Sequence, residues 1–182
     1  PAVAGKGEWL NTSTYIFYPA TGFLPATEYR ARITQSLTDT LGASLERDFE
    51  WRFSTFDPAV VALEPADGEP FAGPAQPVRV IFNQPVQHAT AVERLTLETA
   101  GQSLSGTIGW SGGATPAMTE TLIFTPTTPL PRGAAVIARL RAGVAAASGP
   151  RVTISDTIST FRVAPPPGVE NITPRNGAVN VN

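Results

Sequence analysis

Apolar and polar residues alternate with a period of two along much of this chain. In Val78-Arg79-Val80-Ile81-Phe82, positions 78, 80 and 82 share one face. In Tyr29-Arg30-Ala31-Arg32-Ile33 an apolar face alternates with Arg30 and Arg32. In Phe49-Glu50-Trp51-Arg52-Phe53-Ser54 an aromatic face alternates with Glu50, Arg52 and Ser54. Leu95 with Leu97, and Val136 with Ala138 and Leu140, continue the pattern. Side chains on a strand point alternately to opposite faces, so each run predicts a strand with one buried and one wet face. No window predicts a long amphipathic helix, although Ala89 to Leu95 suits one short turn.

Asp67-Gly68, Asn176-Gly177 and Gly112-Gly113 separate the runs with residues that tolerate positive φ. The spacing predicts an all-β chain built on two-sheet sandwiches, with about seven short strands per unit. Trp51, Phe53, Phe82, Leu97, Phe124, Leu130 and Phe161 are the expected core. Burying each such side chain contributes roughly 1.5–3 kcal/mol.

The chain resembles itself. Pro58, Val60, Leu63, Pro65, Asp67 and Gly68 recur, without gaps, as Pro167, Val169, Ile172, Pro174, Asn176 and Gly177. Phe17-Tyr18-Pro19, Leu24-Pro25 and Tyr29 to Ile33 recur as Phe124-Thr125-Pro126, Leu130-Pro131 and Val136 to Leu140. Phe53 recurs as Phe161. The period predicts three segments: 1–57 as the back half of one unit, 58–165 as a whole unit, and 166–182 as the opening strand of another. Asp57-Pro58 and Pro165-Pro166-Pro167 mark the junctions, where proline stiffens the linker and stops strand pairing.

Composition narrows the function classes. The 182 residues are 42 % hydrophobic and 15 % charged, which is globular. A net charge of −2 gives no electrostatic case for nucleic acid or an anionic membrane. There is no cysteine, hence no disulfide, thiolate metal site or cysteine nucleophile in this chain. No signal peptide and no apolar run long enough for a membrane span is found.

These residues resemble the bacterial immunoglobulin-like repeats of large surface proteins. The opening proline and Pro-x-(Asp/Asn)-Gly stand at 58–68 and 167–177. The strand Val78 to Val86 comes next, then Phe-x-Pro with Leu-Pro at 124–131 and 17–25. The closing pattern stands at Leu37 to Leu45 and Phe49 to Thr55; 143–158 departs from it, lacking Asp-x-x-Gly and the Trp. The resemblance implies tandem immunoglobulin-like sandwiches, an extracellular or cell-surface setting, and a spacer or adhesion role without catalysis or cofactor. Surface-layer and α-2-macroglobulin-like proteins are the parents it implies. The thioester of the latter needs a cysteine that this chain lacks.

Several motifs touch on chemistry. Gly109-Trp110-Ser111-Gly112-Gly113 fits G-x-S-x-G, whose serine needs a strand-to-helix turn, a histidine base and an acid. The only histidine is His88, and no helix is expected after Gly113, so the motif reads as a hairpin loop. His88 alone reads as a surface loop residue, since zinc usually takes three or four ligands. A calcium ion at a junction would involve Asp57 or Asp67, yet Asp-Pro and Asp-Gly are ordinary turn chemistry. Asn11-Thr12-Ser13 and Asn171-Ile172-Thr173 fit a short and frequent glycosylation pattern. Arg30, Arg32, Arg139 and Arg141 are placed on solvated outer faces. Trp9 and Trp110 lie outside the clearest alternating runs and are the candidate aromatic platform for a ligand such as cell-surface polysaccharide, or for a partner protein. Their equivalent places in the two units also suit a shared structural role. No metal and no catalytic residue is expected. The missing front strands of 1–57 predict an uncovered core, which 166–182 would complete by donor-strand pairing, between molecules rather than within one.

Overall fold

A computed structural model describes residues 1–113, 118–169 and 171–179. Those residues form twelve strands and one short helix. The strands are β1 (Gly5–Asn11), β2 (Thr14–Pro19), β3 (Glu28–Ile33), β4 (Phe49–Ser54), β5 (Val60–Glu64) and β6 (Val78–Phe82). Helix α1 (His88–Arg94) precedes β7 (Leu95–Thr99), β8 (Gln102–Ser103), β9 (Gly106–Gly112), β10 (Glu120–Pro126), β11 (Ala135–Leu140) and β12 (Thr157–Arg162). All the ladders are antiparallel. The period-two runs therefore form β3, β4, β6, β7 and β11, and the short turn near Ala89 is α1.

Two four-stranded sheets, ordered β5-β6-β10-β9 and β12-β11-β7-β8, supply one core. Val78, Val80 and Phe82 of β6 and Leu122 and Phe124 of β10 come from the first sheet. Leu97, Val136, Ala138, Leu140 and Phe161 come from the second. Leu130 closes the core from the loop before β11. Each sheet has one apolar face, and burying the two against each other satisfies both.

Residues 1–57 are built differently. They form two separate hairpins, β1-β2 and β3-β4. These hairpins match the later ones in register, except past Trp9, where β1 bulges before Asn11. Gly5 pairs with Pro19 and Trp9 with Tyr15, as Gly106 pairs with Pro126 and Trp110 with Leu122. Glu28 pairs with Ser54 and Tyr29 with Phe53, as Ala135 pairs with Arg162 and Val136 with Phe161. Even the glycine-aromatic contact recurs: the Phe17 ring lies over Gly5 and the Phe124 ring over Gly106, each closer than a Cβ would allow.

The matched positions differ in burial. Tyr15 is 55 % and Phe17 42 % exposed, where Leu122 and Phe124 are 0 % and 6 %. Two expected core residues are thereby corrected. Trp51 is 44 % exposed, and Phe53 is half-buried. Each is paired within the β3-β4 ladder, but this face meets the β1-β2 hairpin only across an open cleft. Phe82, Leu97, Phe124, Leu130 and Phe161 are buried as expected.

The described part of 166–182 forms no strand and joins no ladder within this chain. Residues 170 and 180–182 of that expected strand lie outside the described residues.

The burial contrast sets unequal costs for truncation. Phe82→Ala is expected to lower stability by about 3–5 kcal/mol, because it opens a cavity in a closed core. Phe49→Ala, at a position 59 % exposed, is expected to cost less than about 1 kcal/mol. Urea unfolding followed by circular dichroism compares the two.

Candidate functional site

The joint between residues 1–57 and 58–165 is built from side chains distant in sequence. Asn83, just past β6, donates from Nδ2 to the Asp57 carbonyl at 2.9 Å and accepts the Ala59 amide on Oδ1 at 2.9 Å. This clasps the linker from both sides of Pro58, which is itself fully buried. Arg151 donates to the Asp57 carboxylate at 2.7 Å and to Ser54 Oγ at 2.8 Å. Gly149 holds φ at +84°, and a Cβ there would stand 2.5 Å from the Ala26 carbonyl oxygen. The backbone therefore approaches residues 25–27 as closely as glycine alone permits. Asp57 is engaged with arginine, and Asp67 accepts the Thr160 amide at 2.8 Å. Among the described residues no cluster of three or more His, Cys, Asp or Glu is placed to hold a metal ion.

A second cluster surrounds Trp110. His88 opens α1 rather than lying in a loop, and its ring stacks on Trp110 with centroids 3.7 Å apart and planes 5° from parallel. Its Nε2 lies 2.9 Å from Oε1 of Glu120, whose side chain is 8 % exposed. The other carboxylate oxygen of Glu120 accepts the Val86 amide at 2.9 Å. The carboxylate thus ties the turn before α1 to the start of β10, and a buried acceptor so engaged is costly to lose. Trp110 packs against the core and carries His88 on a ring face, so its indole is half-buried. Ser111 is the next residue on β9 and points to the opposite face from Trp110, away from His88. It sits within the strand, opposite Thr121, and not on a strand-to-helix turn.

Trp9 stands in the matching place without such a cover. It is 53 % exposed and meets Tyr15 edge-on, with centroids 5.2 Å apart. It lines an open cleft of ≈ 750 Å³ with Asn11, Thr12 and residues 36–40. A second cleft, ≈ 590 Å³, runs between the two hairpins and is lined by Tyr15, Phe17, Phe23, Tyr29, Trp51 and Phe53 among others. Phe23, Tyr29 and Phe53 form one aromatic group with centroids 4.9–5.5 Å apart.

The outer face of β3-β4 carries a ladder of ion pairs. Arg30 pairs with Glu50, Arg32 with Asp48, and Arg52 with Glu28. Arg139 reaches Asp156 at 3.9 Å. Exposed pairs of this kind add little stability, and cross-strand pairing leaves few charges free for a ligand. The Gln35 amide, at 2.8 Å, and the Arg32 guanidinium hold the Asp48 carboxyl below its ordinary value of 3.8.

No family model matches the chain, and no curated protein matches it. Among solved structures, one of an LD transpeptidase in complex with imipenem is similar over 59 % of this chain, at 19 % identity and a TM-score of 0.41. The match spans 40 % of that structure's length.

The Trp110 cluster and the Asp48 site each lend themselves to a direct measurement. Glu120→Ala leaves the buried Val86 amide without its acceptor and is expected to cost about 1–3 kcal/mol. Ser111→Ala is expected to stay within about 0.5 kcal/mol; thermal unfolding of both variants checks the contrast. Asp48 stabilises the fold while ionised, so its contribution is present above pH 3.8 and lost as the pH falls through its lowered folded value. Carboxyl NMR titration should place the Asp48 midpoint below 3.8, and Gln35 amide exchange should quicken as that midpoint is crossed.

Proposed function

We propose that this chain is a segment of a tandem array of immunoglobulin-like sandwich repeats, acting as a non-catalytic spacer in a large secreted or cell-surface protein. The observation that carries the reading is the repeated register. The hairpins β1-β2, from Gly5 to Trp9, and β3-β4 pair in the same register as β9-β10 and β11-β12. A repeat unit stacked on its neighbour is a mechanical element, and its stiffness rests on the joints. The joint at Asp57-Pro58 suits that task. Asn83 clasps the linker, Arg151 binds it through charge, and Gly149 allows direct backbone contact. The surroundings of Ser111 do not favour acyl-transfer chemistry, because the one histidine of the sequence, His88, is stacked on Trp110 on the opposite face. The large-surface-protein setting, including an α-2-macroglobulin-like parent, rests on sequence resemblance alone.

The second reading is a carbohydrate-binding or adhesion module. The exposed Trp9, which lines an open cleft with Asn11, Thr12 and Asp39, favours it. Against it stands the matching Trp110, whose ring is taken up by His88. A shared structural role explains both tryptophans at once.

Residual dipolar couplings on aligned protein test the spacer reading. Residues 5–54 and 58–163 should share one alignment tensor. Arg151→Ala combined with Asn83→Ala should separate the tensors while leaving the 58–163 core folded. Independent tumbling of the unsubstituted protein would sink the spacer reading. Saturable binding to a glycan panel, lost in a folded Trp9→Ala variant, would establish the adhesion reading in its place.

A further inference from the structure

The open aromatic face of residues 5–54 has a template inside the same chain. In the sheets of 58–163, β10 lies between β9 and β6, and β11 lies between β12 and β7. Their matches β2 and β3 each pair on one side only, with β1 and β4. The two edges that β6 and β7 cover are thus bare on β2 and β3 among the described residues. The faces correspond as well. Tyr15, Phe17, Leu24 and Ile33 are exposed, while Leu122, Phe124, Leu130 and Leu140 in the matching places are buried. Trp9 lacks the cover that His88 of α1 gives Trp110. The two bare edges and the uncovered indole correspond to β6, β7 and α1, all within residues 58–103.

The path of the chain into β1 points to how such a cover is attached. The Ala20 amide donates to the Ala4 carbonyl at 2.9 Å, as the Thr127 amide donates to the Ser105 carbonyl at 3.0 Å. Val3 and Ala4 thus run where Leu104 and Ser105 run. Leu104 packs against the core and donates to the Leu97 carbonyl of β7 at 2.8 Å, carrying the chain from β8 into β9. Pro1, Ala2 and Val3 line the cleft between the hairpins, on the approach that β8 takes in the later sheets.

We propose that the face formed by Trp9, Tyr15, Phe17, Trp51 and Phe53 is the docking surface for the front half of an immunoglobulin-like unit, joined to Val3 in the same polypeptide and built from strands equivalent to β5–β8. A β6-like strand extends the β1-β2 sheet at β2, and a β7-like strand extends the β3-β4 sheet at β3. Addition of a strand at an open edge supplies ladder hydrogen bonds, and its alternate side chains fill the apolar face. A helix equivalent to α1 then covers Trp9. Residues 166–182 do not suit this place on topology: they match β5, which in 58–163 pairs with β6 and reaches neither β10 nor β11 in its sheet. The proposal rests on the reading of the chain as a repeat array.

An extended chain tests it, in which a copy of residues 58–103 replaces Pro1-Ala2 ahead of Val3. A control carries Val80→Asp and Leu97→Asp in the added copy only. Hydrogen exchange is read at the amides of β2 and β3 that face away from β1 and β4, alongside binding of an apolar dye. In the extended chain these amides should slow by about a hundredfold, and dye binding should fall severalfold. The Trp9 emission should shift to the blue, and the control should do none of this. Equal exchange and equal dye binding in all three chains would overturn the proposal.

The unextended protein decides the matter should the extended one fail to fold. It must be monomeric, bind dye, and exchange these edge amides fast. Protected edge amides in a sedimenting dimer would overturn the proposal in favour of a second copy on the face. Loss of that protection on truncation after Ala164 would instead assign the face to 166–182. Dipolar couplings keep the two readings apart: a shared tensor with an unresponsive face sinks only the docking proposal.

Discussion

A β-sheet with one apolar face must set that face against another layer, and the whole molecule divides on whether this is done. Between Val60 and Val163 two four-stranded sheets close on each other, and Val78, Val80, Phe82, Leu122 and Val136 reach essentially zero exposure. Between Gly5 and Ser54 the same alternation yields two hairpins that meet only across an open cleft, and Tyr15, Phe17 and Trp51 stay exposed. Isolated two-stranded hairpins are marginal in water. What steadies these two is local and modest: the Phe23, Tyr29 and Phe53 group on one face and the arginine-carboxylate ladder on the other. The firmest anchor is the Asp57-Pro58 joint, where the hairpins meet a body that is fully packed.

Much of this architecture is legible in the sequence, because strand periodicity is written in single residues. Val78 to Phe82, Tyr29 to Ile33 and Val136 to Leu140 read directly as β6, β3 and β11. What alternation does not encode is whether a second layer is present. Trp51 carries the same signal as Phe82, yet one is exposed and the other sealed. The pattern states which side of a strand is apolar, while burial depends on strands that pair from elsewhere. His88 illustrates the same limit. A lone histidine in a polar stretch gives no hint of Trp110 or Glu120, the latter thirty-two residues away.

The joint is the least legible part. Asn83 follows β6 in a run that reads as a strand end, and Arg151 and Gly149 lie in a segment where the repeat pattern is weakest. Their roles depend on backbone groups of residues 25–26, 57 and 59 and on the side chains of Ser54 and Asp57, which no spacing rule connects to them. Asp57 stands out in the sequence only as a candidate cation ligand. Its carboxylate is taken by Arg151 and Ser54 shares the same guanidinium, so the charge at the joint is already balanced.

Arg151 and Asp57 are separated by 94 residues. A ribosome delivers the two hairpins before Asn83, Gly149 and Arg151, the residues that fix their direction. The clamp cannot close until Gly149 and Arg151 have emerged and the chain around them has been pinned by Ala146, Val144 and Thr153. Contacts of such long sequence separation form late, since the intervening loop must be closed before they return any energy. The two hairpins are therefore oriented only after residues 149–151, which follow them by some ninety positions, have been made and pinned.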